Sequence, residues 1–207
     1  SWASGLIASA CEQINAALIY ISTCGLFGNE IKLYSEYDSV ELKTKYSHSK
    51  FVGEQEARTN CNKTFVIRPG WLYGGTPEHK RNFVYQRYLE AQRSPVLKSA
   101  MDKYGSPTYT IDLAKCILSL VDTDAYGVYH ITNAGMASRY DYVDCILQAF
   151  GVNTPIEAVD SSEFPRPSPV PNCEALDNVN LRFLGIEQPC EWREALHRYI
   201  RGLKTSI

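Results

Sequence analysis

The sequence predicts an α/β fold built on a doubly wound parallel sheet. Two runs, AALIYIST (residues 16–23) and TFVIRP (residues 64–69), are almost continuously apolar, which is typical of parallel strands buried on both faces. Segments with helical spacing or helix-capping residues separate these runs from each other and from a third strand-like run, GVYHIT (residues 127–132). Strands that alternate with helices in this way form the parallel sheets of α/β proteins.

Composition and charge exclude several classes of protein. Of the 207 residues, 44% are hydrophobic and 21% are charged, and the formal net charge is −2. A chain so close to neutral has no electrostatic reason to bind nucleic acid or an anionic membrane surface. No apolar run approaches the ~18 residues of a transmembrane helix, and the start SWASGLIASA lacks the basic residues of a signal peptide. We therefore expect neither nucleic acid nor a membrane as a partner.

The cysteines and histidines bear on the compartment and on metal binding. The seven cysteines form no CxxC motif and their number is odd. This favours free thiols in a reducing compartment, so we expect a cytoplasmic protein. The four histidines lie far apart in the sequence and lack the spacing of metal ligands, so we predict no metal-binding residues.

The first strand run leads to a candidate site. Residues 4–14 precede it with helical spacing. The carboxyl end of a strand is where an open α/β sheet places ligands, and here the run ends in the hydroxyls of Ser22 and Thr23. The alternative that these hydroxyls only cap the strand stays open. The apolar residues predicted to share one side of the first helix are Leu6, Ile7, Ala10, Cys11 and Ile14.

The next helix, from about residue 46 to residue 59, carries a possible proton-transfer pair. Tyr46 and Lys50 are four residues apart and therefore share one helical face. A phenol titrates near pH ~10, and a neighbouring cation lowers its pKa. A phenol of lowered pKa can protonate a ketone oxygen. The spacing also fits an exposed helix with a solvated lysine.

The second predicted strand is followed by GWLYGG (residues 70–75), which we interpret as a flexible loop. Trp71 in this loop is a candidate for stacking on a sugar or base ring, and a core-packing role is equally compatible with the sequence. His130, in the third strand, is predicted to be a core histidine rather than a base.

The remaining predicted elements fill the second half of the chain. A strand is predicted at residues 95–98, and FPRPSPVP (residues 164–171) is predicted to be extended because proline excludes a regular helix. Ser138 and Gly151 are the predicted cap and end of one helix. The predicted helices cover residues 82–93, 112–121, 139–150, 176–184 and 191–203.

These pieces together resemble a known family. The strand, the hydroxyl pair, the YxxxK helix and RPGWLYG resemble the extended short-chain dehydrogenase/reductase superfamily. DKYGSPTYTIDLA (residues 102–114), GVYHITN (residues 127–133) and the closing WREAL helix are similar to the dTDP-4-dehydrorhamnose reductase family. The resemblance covers nearly the whole chain. It implies a Rossmann-like doubly wound parallel sheet with a small α/β substrate-binding lobe.

The resemblance also implies a division of the chain. Residues 1–93 would form the C-terminal part of a Rossmann-like catalytic domain. Residues 94–207 would form mainly the substrate-binding lobe, with segments around 107–135 returning to the catalytic domain.

The activity implied by the resemblance is NAD(P)H-dependent reduction of a nucleotide-linked 4-keto-6-deoxy sugar. Catalysis would rest on Thr23, Tyr46 and Lys50, with Tyr46 as the proton donor and Thr23 bound to the developing oxyanion. The cofactor, NADPH or NADH, would contact Ser22, Tyr46, Lys50 and Pro69. The nucleotide-sugar substrate would contact Thr23 and Trp71. A homodimer is left open.

The sequence also departs from the family. The Gly-rich turn that holds the cofactor pyrophosphate is absent, so we expect a fragment of a longer enzyme rather than a genuinely short protein. Cys24 and Gly25 stand where the family has an acid and an aromatic residue. Lys103 and Val170 also differ from its pattern, which leaves the exact sugar undecided.

Two alternative functions stay open. One is a non-catalytic binding protein on the same fold, similar to the methionine adenosyltransferase regulatory subunit. The other is an epimerase or dehydratase, which needs an additional acid or base in the pocket, and the sequence reveals none.

Overall fold

The computed structural model describes residues 2–205. Its α-helices, in chain order, are α1 (Trp2–Gln13), α2 (Lys45–Asn60), α3 (Phe83–Ala91), α4 (Thr110–Val121), α5 (Arg139–Phe150), α6 (Val179–Phe183) and α7 (Trp192–Lys204). Its strands are β1 (Leu18–Ile21), β2 (Thr64–Pro69), β3 (Trp71–Tyr73), β4 (Leu97–Ala100), β5 (Tyr104–Gly105), β6 (Pro107–Tyr109), β7 (Gly127–Ile131), β8 (Ala137–Ser138), β9 (Ile156–Val159) and β10 (Cys173–Glu174).

The largest parallel sheet has the strand order β1-β2-β7. Leu18 pairs with Thr64 across β1 and β2, and Phe65 pairs with Gly127 across β2 and β7. All six residues of β2 are buried, because this strand has a neighbour on each side. Phe65 packs with residues of α4 and β7 in one hydrophobic cluster. The prediction of a doubly buried strand is confirmed for β2.

The same prediction is wrong for β1. Ile19 and Ile21 are 39% and 41% exposed. β1 is an edge strand of this sheet within residues 2–205, and its side chains alternate between two faces. Tyr20 turns toward α2, where its hydroxyl donates to the carbonyl of Lys50 at 3.2 Å. Ile19 and Ile21 point to the other face.

Helix α1 is present, but the apolar side predicted for it is not its contact side. Gly5 and Ala8 are the buried residues of α1, whereas Leu6, Ile7 and Ile14 are more than half exposed. The helix packs against α2. Small side chains allow two helices to approach closely, which explains why the contact uses Gly5 and Ala8 rather than the larger residues.

The loop predicted at residues 70–75 is a strand in its first part. Trp71 to Tyr73 form β3, which pairs in parallel with β6, and the N–H of Trp71 donates to the carbonyl of Ser106 at 2.8 Å. Trp71 and Tyr73 are buried and Leu72 is exposed, as the two-residue period of a strand requires. Three residues between glycines are too few for this period to be recognised in the sequence.

Helix α5 agrees with the prediction residue for residue. The Ser138 hydroxyl accepts from the N–H of Asp141, and the Asp141 side chain accepts from the N–H of Ser138, which forms a capping box. Gly151 ends the helix with φ 77°, a left-handed conformation that glycine adopts without strain. The other predicted helices are present with ends that differ by up to three residues, and the strand predicted at residues 95–98 begins two residues later.

His130 is fully buried in β7, which confirms the prediction of a core histidine. Its Nδ1 lies 3.1 Å from the carbonyl of Tyr34 and 3.2 Å from that of Asp177. Burial, and then the charge of Arg68, lower the pKa of His130 to about 3. The imidazole is therefore neutral and ties together three distant segments.

The proline-rich segment and the lengths of the helices were also predicted from the sequence. Residues 164–171 contain neither helix nor strand, as their prolines predict. No helix within residues 2–205 has both the length and the apolar character to cross a membrane. The domain boundary at residue 93 stays a prediction.

Candidate active site

Ser22 and Thr23 directly follow β1 and are buried. The hydroxyl of Ser22 donates to the carboxylate of Glu54 in α2. That carboxylate also accepts from Arg68 of β2, from Nε at 3.0 Å and from Nη2 at 2.6 Å. The Oγ1 of Thr23 instead accepts from the N–H of Gly25 at 3.1 Å. The two hydroxyls therefore differ, since that of Ser22 is hydrogen-bonded to the buried ion pair of Glu54 and Arg68 and that of Thr23 is not.

Helix α2 carries Tyr46 and Lys50. Thr44 begins the helix by accepting from the N–H of its third residue. The Tyr46 side chain is 61% exposed and borders a cavity. The ammonium of Lys50 donates to the carbonyl of Ile21 at 2.5 Å and lies 4.6 Å from the centroid of the Tyr20 ring. Lys50 is thus fixed to the carboxyl end of β1, directly before the hydroxyl pair.

Pro69 is the buried last residue of β2, paired with Ile131 of β7. Because the strands are parallel, Pro69 and Thr23 both lie at the carboxyl edge of the sheet. This is the edge at which α/β proteins bind ligands.

Trp71 is only 8% exposed, and Glu174, Arg139 and Gly105 lie against its ring. Its Nε1 donates to Oε2 of Glu174 at 2.8 Å. The guanidinium carbon of Arg139 lies 3.4 Å from the centroid of the ring. A Cβ atom on Gly105 would lie 2.2 Å from Cε2 of the indole, so a glycine is required there. Trp71 is both a core residue and a cavity residue, and a guanidinium occupies one face on which a sugar could stack.

The cavity beside Trp71 has a volume of about 520 Å³. The segment at residues 164–171 forms one wall. Of the predicted site residues, Tyr46 and Trp71 border the cavity, while the other four lie at the sheet edge. The charged residues that line it are Lys103, Arg139, Asp160, Arg166 and Glu174.

Two of these cations differ in their contacts. Lys103 donates to Oδ1 of Asn172 at 2.6 Å and to the carbonyl of Val170 at 3.4 Å, so it fixes the proline-rich wall. Burial lowers the pKa of the Arg139 guanidinium, and the charge of Glu174 opposes this shift. Within the part of the chain that the structure describes, the Arg139 guanidinium has no ion pair and no hydrogen bond, and it lies against the ring of Trp71.

Sequence reasoning missed Glu174 and Arg139. The sequence reveals no additional acid in the pocket, whereas the structure places Glu174 in its lining. β10 has only two residues and pairs with β5, with Glu174 opposite Gly105. No local pattern reveals such a pairing across about 70 residues of chain. For Arg139 the sequence offered one signal of its position, because Arg139 is the first residue of a helix with a clear cap.

The chain is similar to known proteins. The model of the RmlD substrate binding domain family matches residues 1–205. The chain belongs to this family. The spore coat polysaccharide biosynthesis protein SpsK of Bacillus subtilis is 34% identical over 190 residues, which are 91% of this chain and 65% of that protein. The chain thus spans less than two thirds of the length of SpsK.

Two solved structures have the same fold as this member of the RmlD substrate binding domain family. A dTDP-4-dehydrorhamnose reductase from Clostridium acetobutylicum aligns with a TM-score of 0.92 at 31% identity, over 97% of this chain and 71% of that one. The dTDP-4-dehydrorhamnose reductase from Bacillus anthracis, solved in complex with NADP, aligns with a TM-score of 0.90 at 30% identity. The alignment covers 96% of this chain and 70% of that one. The family resemblance and the Rossmann-like fold are confirmed. The residue roles stay predictions.

Proposed function

We propose that the protein carrying this chain reduces the 4-keto group of a nucleotide-linked 4-keto-6-deoxy sugar with NADPH or NADH. The observation that carries the proposal is that α2 places the exposed phenol of Tyr46 at the cavity and fixes Lys50 at the carboxyl end of β1. The reductase named in each of the two aligned structures supports the same activity.

The residues at the sheet edge fit a nicotinamide cofactor. The ammonium of Lys50 has three N–H groups, and one donates to Ile21, so others are available for ribose hydroxyls. Ser22 and Pro69 border the same edge, and Ser22 keeps its acceptor lone pairs although its proton is donated to Glu54. The bound cofactor supplies the hydride, and these residues supply its position.

Proton transfer and charge stabilisation fall to Tyr46 and Thr23. Tyr46 gives its phenolic proton to the oxygen of the reacting ketone. Thr23 accepts from the N–H of Gly25, which leaves its own hydroxyl proton to donate to the developing oxyanion.

The charges around the cavity support a nucleotide diphosphate as part of the substrate. Lys103, Arg139 and Arg166 line one cavity, and guanidinium and ammonium groups are the usual partners of phosphate oxygens.

We also propose that residues 1–93 supply the catalytic groups and that residues 94–207 form most of the wall that contacts the substrate.

We also propose a cytoplasmic location and leave a homodimer to experiment. The cysteines are all free in the described residues, as expected for a reducing compartment. Light scattering on the purified protein distinguishes monomer from dimer.

Replacing Tyr46 by phenylalanine tests the proposed reaction. We expect kcat to fall by about 10²- to 10⁴-fold, because the proton donor is lost. The KM for the nucleotide sugar should change little, since the ring remains. Turnover is followed by the loss of NADPH absorbance with a nucleotide-linked 4-keto-6-deoxy sugar.

The matched control is Tyr37→Phe. Tyr37 is 71% exposed and donates to Asn180 away from the cavity, so its loss should leave turnover unchanged. A Tyr46→Phe variant with the turnover of the Tyr37→Phe variant contradicts the proposed role.

A further inference from the structure

Glu174 is a carboxylate held in one orientation on the cavity wall. Its Oε2 accepts from Nε1 of Trp71 at 2.8 Å. The pairing of β10 with β5 places Glu174 opposite Gly105, the residue against which the indole lies. The backbone and the tryptophan therefore both fix the side chain.

Arg139 adds to this arrangement without neutralising Glu174 by direct contact. Its guanidinium lies 3.4 Å from the Trp71 ring centroid. The charge of Glu174 raises the pKa of Arg139 against the effect of burial, so the two groups attract each other. No salt bridge joins them within residues 2–205. The carboxylate therefore keeps unused acceptor capacity.

The second oxygen, Oε1, is the unused acceptor. It makes no hydrogen bond to the described residues and lies 3.1 Å from the position that a Cβ atom on Gly25 would take. The Oγ1 of Thr23 lies 3.5 Å from that same position. The free carboxylate oxygen and the hydroxyl proposed to hold the reacting oxygen thus both lie within 3.5 Å of one point beside Gly25.

We propose that Glu174 is a specificity-determining residue that accepts a hydrogen bond from the sugar hydroxyl beside the reacting ketone. This inference rests on the proposed function. An ionised carboxylate only accepts hydrogen bonds, so it selects a donor on the substrate. In a 4-keto-6-deoxy sugar, C3 carries a hydroxyl and C5 carries a methyl group, which is no donor. The C3 hydroxyl is therefore the group that Glu174 recognises.

The test compares two substrates in the protein carrying this chain. One is a nucleotide-linked 4-keto-6-deoxy sugar, and the other is the same molecule without the C3 hydroxyl. The wild type should prefer the hydroxylated substrate by about 10- to 100-fold in kcat/KM, the range of one hydrogen bond to a charged group. Glu174→Ala should reduce this ratio to within about threefold.

Two more variants keep the test decisive if Glu174→Ala folds poorly. Glu174→Gln retains an oxygen for Trp71 and should give an intermediate ratio, because hydrogen bonds of neutral groups are roughly half as strong. Glu157→Ala removes an exposed glutamate of β9 and should keep the wild-type ratio. An unchanged ratio in both Glu174 variants overturns the proposal.

Two other outcomes separate this inference from the proposed function. Calorimetric binding of the matching 4-hydroxy sugar nucleotides, with and without the C3 hydroxyl, measures the same ratio without turnover. If this ratio depends on Glu174 in a protein without reductase activity, the proposed function fails and the role of Glu174 stands. If solvent deuterium enters a ring carbon in the wild type but not in Glu174→Gln, Glu174 is a base toward carbon, and the proposal is overturned.

Discussion

Glu54 illustrates how a single residue couples the core to the site. It lies in the interior and accepts from Ser22, directly after β1, and from Arg68 in β2. The ion pair is almost fully buried, with side-chain exposures of 6% and 1%. A buried charge that loses its partner is costly, because nothing replaces the lost hydration.

We therefore expect Glu54→Ala to lower the free energy of unfolding by about 3–5 kcal/mol, since it leaves Arg68 buried and unpaired. Urea denaturation measures the change. The control is Glu163→Ala, which breaks an exposed ion pair with Lys98 and should have little effect. Equal losses in the two variants would show that burial does not govern these pairs.

Gly25 has no side chain and therefore leaves room for the carboxylate of Glu174. A side chain at this position would stand 3.1 Å from Oε1, closer than most Cβ contacts. The carboxylate of Glu174, from β10, therefore lies beside the residues that directly follow the hydroxyl pair.

At the scale of elements, helix α5 connects local stability with the cavity. Its first residue is Arg139, so the cap at Ser138 fixes the position from which the guanidinium reaches Trp71. A helix that frays at this end would release the cation that covers the ring.

Ser138→Ala should lower the free energy of unfolding by about 1 kcal/mol, because it removes one half of the capping box. The comparison is Ser49→Ala, an exposed serine inside α2, where alanine is the better helix former and no loss is expected. Thermal or urea unfolding of both variants checks this difference. A cap variant as stable as Ser49→Ala rules out the assigned role.

The elements also differ in how far the sequence could predict them. β2 is long and mostly apolar, and α5 has clear signals at both ends, so both were predicted with their exact bounds. β3 and β10 have three and two residues, and only their partners define them. Tyr46 was found because its partner lies one helical turn away, whereas Glu174 meets Trp71 only through the tertiary fold.

At the scale of the whole molecule, His130 joins three distant parts of the chain. The imidazole lies in β7 and contacts carbonyl groups of Tyr34 and Asp177. Its folded-state pKa is lowered to about 3, against an ordinary value of 6.5. Between these two values the unfolded chain binds a proton that the folded chain excludes. The contribution of His130 to stability is therefore present above pH 6.5 and is lost as the pH falls toward 3.

His130→Asn should flatten this pH dependence, by up to about 1.4 kcal/mol per pH unit within the window. The free energy of unfolding, measured from pH 7 to pH 4, gives the slope for each protein. His48→Asn, which changes an exposed histidine on α2, should keep the wild-type slope. If the His130 variant has that same slope, the buried imidazole does not control acid stability.

The proline-rich wall at residues 164–171 has a consequence for how such a site changes over evolutionary time. Every second residue is a proline, and the alternating ones, Phe164, Arg166, Ser168 and Val170, all border the cavity. Because proline restricts its own backbone and that of the preceding residue, the path of the wall depends little on the four side chains between the prolines. Single substitutions at these four positions can therefore exchange the chemistry facing the ligand while the scaffold keeps its course, and substrate preference can drift without a cost in folding.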